Sequence, residues 1–210
     1  YRLSAPSSSA HLGPGFDCLG LALDQRNEWE ITIREGQSPG RCRLVENSGG
    51  GDLEEIPTDE EHLFFRSWRI LHERGFGPDL SALLREAGLE VELKAKNATP
   101  ISRGLGSSAA LRVASAAVYA RTTGRSDRPA WELASQLEGH PDNAGAAGLG
   151  GLVLGTRDDE GRYRLLCPPI HSCWKVAVAV PQFCLHTAGA RDALPKDLPL
   201  ADAVFNMSRL

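Results

Sequence analysis

The stretch that most constrains this 210-residue chain is Pro100–Ala110, Pro-Ile-Ser-Arg-Gly-Leu-Gly-Ser-Ser-Ala-Ala. Val91, Leu93 and Ala95 alternate just before it, the period of a strand. From Ser107 to Ala120 the chain is rich in Ala, the best helix former, with Gly124 as a stop. Strand, glycine turn and helix N-terminus therefore follow in order. A helix start offers unpaired N–H groups and the positive end of a dipole, which suit an anion. Glycines let backbone approach it closely. The serine hydroxyls can cap the helix, or reach a phosphate and its magnesium. Taken alone, the stretch is explained better by an ordinary capped helix after a turn. The Walker pattern is absent, because no Gly-Lys-Ser/Thr follows.

Upstream, Ser4–Ala10 is small and hydroxyl-rich, and His11–Asp17 reads as a loop with two glycines around a proline. Asp17 is either a ligand-contacting carboxylate or a turn former. Trp29, Ile31 and Ile33 alternate with polar residues as a half-exposed strand, and Gly36–Gly51 reads as loop-rich. Thr58-Asp59-Glu60-Glu61 has the form of a capping box. It would open a helix with Phe64, Trp68 and Leu71 on one face. Leu80–Ala87 reads as a short helix.

Downstream, Asp127 is a good N-cap for a helix running to about Leu137 and stopped by Gly139. Glu132 lies within it and by spacing alone is a surface residue. Glu138–Asn143, Glu-Gly-His-Pro-Asp-Asn, reads as a ligand-holding loop rather than a helix. Residues 156–172 read as a charged connection, Trp174–Val180 as an apolar strand, and Ala201–Leu210 as the start of a helix.

With 41% apolar and 24% charged residues, the composition is that of a globular domain with room for a packed core. A net charge of -4 argues against a nucleic-acid surface. Five cysteines without a Cys-x-x-Cys pair point to reduced thiols and a cytoplasmic location. No apolar run reaches membrane-spanning length. The first residue is Tyr1, which suggests that a short leading piece is missing.

Three pieces in combination resemble a known family. Ser7–Asp17 resembles the first motif of homoserine kinases. Pro100–Ala110 is similar to the phosphate-loop motif of the wider GHMP kinase superfamily. Glu138–Asn143 with Gly150–Leu154 is similar to the homoserine kinase signature that follows that loop, and Thr187, Ala190 and Arg191 match a later segment. The likeness runs from about residue 4 to 210.

It implies a two-domain α+β fold. A ribosomal S5 domain 2-like ATP-binding domain would occupy residues 1–160, and a ferredoxin-like domain would begin in 170–210, incomplete in this chain. It implies phosphorylation of the L-homoserine side-chain hydroxyl by ATP and Mg2+, on the way to threonine. Carried over by position, Pro100, Ile101, Ser102, Arg103, Gly104, Leu105, Gly106, Ser107, Ser108, Ala109 and Ala110 would wrap the ATP phosphates. Ser108 or Ser107, with Glu132, would hold magnesium. His11, Asp17, His140, Thr187 and Arg191 would line the homoserine pocket, Arg191 on the carboxylate, whose shape a guanidinium fork matches.

Asn143 would sit beside the reacting hydroxyl, with Asp17 the alternative base. His11 stands where the family usually has Asn, which bears on substrate preference. A kinase for another small alcohol, or a non-catalytic homologue, are the competing readings. No nucleic-acid or membrane partner is implied, and a homodimer is compatible with the family.

Overall fold

A computed structural model describes residues 1–50, 56–124, 127–180, 194–195 and 197–209. Its spine is one six-stranded sheet, with β1 (Arg2–His11), β2 (Gly15–Glu35), β3 (Cys42–Gly49), β4 (Leu89–Asn97), β5 (Leu152–Arg157) and β6 (Tyr163–Leu166). Among the described residues six helices accompany it: α1 (Leu63–Glu73), α2 (Leu80–Glu86), α3 (Ser107–Thr123), α4 (Ala130–Glu138), α5 (Asp142–Leu149) and α6 (Leu200–Met207).

β2 organises the sheet. β1 pairs antiparallel along one side of it, while its other side is shared. Glu28–Glu35 pair with β4, and Leu19–Leu21 pair with β5. β3 joins the far edge of β4 in parallel. Alternation along β2 and β4 sends Trp29, Ile31, Val91, Leu93 and Ala95 into the core and leaves Glu28, Glu30, Lys94 and Lys96 on the opposite face. Phe64, Trp68 and Leu71 of α1 cover the apolar face. So do Ala110, Val113 and Tyr119 of α3 and Leu133 of α4.

α3 touches α1, α4, α5 and β1, so it is enclosed on several sides. Small alanines permit that close approach. Ser115 ties two helices together: its hydroxyl donates to Phe64 O at 2.6 Å, and its carbonyl accepts from Trp68 Nε1 at 3.0 Å. Truncating Trp68 to Ala should cost about 3–5 kcal/mol from cavity formation.

Several boundaries differ from the sequence expectation. Ser4–Ala10 is strand, because its side chains are small enough to lie between β2 and the glycine loop. The loop at His11–Asp17 is a tight hairpin turn, and β2 starts at Gly15. β3 occupies part of the supposed loop at Gly36–Gly51. α1 starts after His62, whose Nδ1 accepts from Phe64 N–H, so the Thr58–Glu61 box does not cap it. Pro129 rather than Asp127 caps α4.

Asp142 and Asn143 are helical, the first turn of α5; its Gly and Ala content suits packing against β2, where Gly20 has its Cα against the Asp142 carbonyl. β5 and β6 form a hairpin across the supposed charged connection. Trp174–Val180 forms no strand: it has no ladder partner among the described residues, and its apolar side chains are exposed. α6 agrees with the helix expected near Ala201.

Candidate active site

β4 delivers the chain into the glycine loop, and Ile101 N–H donates to Gly50 O at 2.9 Å to hold the loop's start against the end of β3. Asn27 Oδ1, fully buried, accepts from Thr99 N–H at 3.2 Å and fixes the approach. Ser102, Gly104 and Gly106 all take positive φ. Gly106 is the N-cap of α3 at φ 66, with no side-chain cap on that helix. The first-turn N–H groups therefore face the cavity without a side-chain acceptor. A side chain at Gly106 would overlap Ser8 Oγ and press on Asn143 Oδ1.

A cavity of about 700 Å³ opens over this helix start. Ile101–Ala109 line it along one wall. One end is walled by Asn47, Ile56, Pro57, His62, Leu63 and Asn97; the other by His11, Phe16, His140 and Asn143. One space thus joins an apolar slot, an anion-receptive helix mouth and a polar cluster.

The polar cluster is tightly bonded. His140 Nδ1 meets Asp142 Oδ1 at 2.6 Å, and Asn143 N–H donates to the same oxygen at 2.6 Å. Burial works against a charged His140. The hydrogen bond and charge of Asp142, with Asp17 and Glu138, outweigh it and raise its pKa above 6.5. Asp142 is fully buried, and its Oδ2 has no hydrogen-bond partner; His11 Nδ1 is 3.6 Å away. His11 Nδ1 also accepts from Asp17 N–H at 3.1 Å and lies 3.9 Å from Asp17 Oδ1.

His11, Asp17 and Asp142 could converge on a cation, but the Asp17 N–H already occupies the lone pair that His11 would give a metal. His11 stacks on Phe16 with ring centroids 4.5 Å apart. His11 and Asp17 both hold positive φ, a strained backbone of the sort found at functional sites. Burial, then Asp17 and Asp142, raise the pKa of the neighbouring Cys18 thiol.

At the helix mouth, Ser108 Oγ donates to Glu138 Oε1 at 3.0 Å, and Arg112 pairs with Glu138 at 3.1 Å. Glu138 lines the cavity. Glu132, expected beside Ser108, is buried in an ion pair with Arg128 at 2.7 Å and is not among the cavity's lining residues. The two glutamates are six positions apart on α4, about 240° around its axis, so they point to different sides. The fold brings His11, His140, Asn143, Ser107, Ser108 and the glycine loop to one space, with Asp17 beside it. Thr187 and Arg191 lie outside the described residues.

His62 is a site residue that the sequence analysis does not single out. It is buried at the apolar end of the cavity, and burial pushes its pKa down to about 4. Its place one residue before the apolar run of α1 was the available signal. Cys18, Cys42, Cys167 and Cys173 are free thiols, and Cys184 lies outside the described residues. Among the described residues, no helix is long and apolar enough to cross a membrane.

Comparison with known proteins agrees with this arrangement. Residues 74–151 match the GHMP kinases N terminal domain. The chain is 40% identical over 212 residues to a homoserine kinase of Prochlorococcus marinus, covering 100% of this chain and 63% of the relative. It is 40% identical over 208 residues to a homoserine kinase of Gloeobacter violaceus, covering 98% and 64%. The crystal structure of homoserine kinase from Cytophaga hutchinsonii shares the fold, with a TM-score of 0.68, 24% identity, and coverage of 99% of this chain and 64% of that one. The chain thus spans somewhat under two thirds of the length of these relatives. The glycine loop on its strand–helix unit, the whole-chain identity and the shared architecture make the chain similar to homoserine kinases, and residues 74–151 match the N-terminal domain of the GHMP kinases.

Proposed function

We propose that the complete protein is a homoserine kinase, which transfers the γ-phosphoryl group of ATP to the side-chain hydroxyl of L-homoserine. The observation that carries this reading is the single cavity that joins the glycine loop to His11, His140 and Asn143. Homoserine kinase relatives at 40% identity support it.

The geometry and the resemblance support the following roles. The uncapped N–H groups of α3 face anionic phosphate, favoured by the helix dipole. Arg103 adds positive charge on the same wall. The slot between Ile56, Leu63 and Asn97 suits a flat apolar base with polar edges. His62 has its Nδ1 occupied by Phe64 N–H, so Nε2 carries the proton, and it is neutral at pH 7. Ser108 and Glu138, a hydroxyl and a carboxylate in contact at the phosphate wall, fit a magnesium ion, which would neutralise charge on the phosphates.

Homoserine carries an ammonium, a carboxylate and a hydroxyl. Asp17 and the unpartnered oxygen of Asp142 attract the ammonium, and Arg191 and Thr187 are assigned the carboxylate end. Asn143 sits between this cluster and the loop, beside the transferring group. Asn cannot take a proton, and phosphoryl transfer depends mainly on positioning and charge neutralisation. The hydroxyl therefore attacks directly, and its proton passes to phosphate or water. Residues 1–160 would be the ATP-binding domain, with 170–210 beginning a ferredoxin-like partner. On this reading the enzyme acts in threonine synthesis, and five cysteines without a Cys-x-x-Cys pair support a cytoplasmic location.

The test is coupled ADP release by the complete gene product with homoserine, threonine, serine and mevalonate. Homoserine should give the highest kcat/KM. A preference for another alcohol would support a different substrate, with His11 as its cause; no release with any would favour a non-catalytic homologue.

A further inference from the structure

Ser8 lies in β1, fully buried, and does not line the cavity. Its backbone N–H donates to Leu105 O at 3.1 Å, which fastens the strand to the glycine loop. Its hydroxyl donates to Asn143 Oδ1 at 2.8 Å, across 135 residues of sequence. Asn143 is anchored at its own backbone by Asp142. Gly106 packs its bare Cα against this same pair. Strand, phosphate loop and α5 therefore meet at one hydroxyl.

An Asn amide offers a donor on one side and an acceptor on the other, and its last torsion is soft enough to exchange them. Which side faces the cavity decides its chemistry. An NH2 there donates to phosphoryl oxygens as charge develops on them; a carbonyl would repel the same oxygens. Ser8 takes the carbonyl oxygen, which turns the NH2 away from the strand. That NH2 has no partner among the described residues.

We propose that Ser8 is a positioning residue, which locks the Asn143 amide with its NH2 toward the phosphoryl group in transfer. The inference rests on the phosphotransfer reading above. Ser8 touches neither substrate and acts through Asn143 alone.

The complete gene product provides the test. Ser8→Ala should lower kcat roughly tenfold, the scale of one lost hydrogen bond and a freed amide, while the KM for ATP stays within about twofold. Combined with Asn143→Ala, it should cost nothing beyond Asn143→Ala alone. Losses that multiply would overturn the proposal. Asn143→Asp keeps the acceptor for Ser8 but replaces the donor with negative charge, and should lower kcat roughly a hundredfold or more. Retained activity would show that an acceptor is wanted there, and would overturn it too.

A readout independent of turnover is the side-chain NH2 pair of Asn143 in a 1H–15N spectrum with a non-hydrolysable ATP analogue. The pair should shift on addition of the analogue in the wild type and move to free-amide positions in Ser8→Ala. Unchanged signals in a folded Ser8→Ala protein sink the idea even if no alcohol is phosphorylated, whereas absent turnover with the expected spectra counts only against the kinase reading.

Discussion

Ser108 and Glu138 meet at 3.0 Å where α3 begins, although 30 residues separate them. Six residues before Glu138, Glu132 is turned into the protein against Arg128. On the function proposed above, Glu138 rather than Glu132 is the carboxylate beside Ser108 that a phosphate-bound magnesium would use.

Exchange of each glutamate for glutamine should separate the two roles. Glu138→Gln should lower Mg2+-dependent kcat/KM roughly a hundredfold or more, since it removes a charge at the reacting end; it also uncharges the pair with Arg112, so the kinetics rather than the stability tell the two glutamates apart. Glu132→Gln should leave kinetics nearly unchanged but cost about 1–3 kcal/mol in urea unfolding, because it removes the charge, though not the acceptor, from a mostly buried pair with Arg128. The reverse pattern would return Glu132 to the metal.

Gly106→Val should abolish binding of a non-hydrolysable ATP analogue in calorimetry. The new side chain would need positive φ and the space held by Ser8 and Asn143. Unchanged affinity in a folded variant would remove the loop from the nucleotide site.

His62 sets a limit on acid stability. Its pKa falls from 6.5 in the unfolded chain to about 4 in the fold. Between those values the unfolded chain binds more protons, so stability is present above pH 6.5 and lost as pH falls toward 4. The loss is on the order of 3 kcal/mol. Urea unfolding at pH 4.5 and 7.5 should show it, and His62→Asn, which can still accept from Phe64 N–H, should flatten it. An equal acid loss in that variant would assign the effect elsewhere.

His140 has the opposite sign. Its folded pKa lies above 6.5, so its contribution is complete below 6.5 and lost as pH rises through the folded value. Together the two histidines favour a maximum between acid and alkali. The His140 ring should titrate above 6.5 by NMR, and lower in Asp142→Asn. A wild-type midpoint below 6.5 would contradict the bonded His140–Asp142 pair.

Local chemistry explains which features were legible in the sequence. The strand–glycine–helix unit at 89–123 shows itself through alternation, two glycines and an Ala run, all short-range signals. β1 does not, because Ser8 is buried against the loop and the Ser7 hydroxyl donates to Gln25 O of β2, long-range contacts without an apolar pattern. Asp142 and Asn143 looked like loop because glycine and proline precede them, yet packing against Gly20 holds them in a helix. Glu132 and Glu138 are both polar positions of one helix, and only the placement of α3 beside α4 decides which reaches Ser108. Trp174–Val180 had the pattern of a strand, but a strand also needs a partner.

The most direct measurement is 31P NMR of the complete gene product incubated with ATP, Mg2+ and L-homoserine. The γ-phosphate signal of ATP should disappear as a phosphomonoester signal grows, coupled to the protons of the homoserine side-chain CH2, at a rate that requires homoserine. Loss of the γ-phosphate to inorganic phosphate alone, or no change while ATP is bound, would contradict transfer to the homoserine hydroxyl.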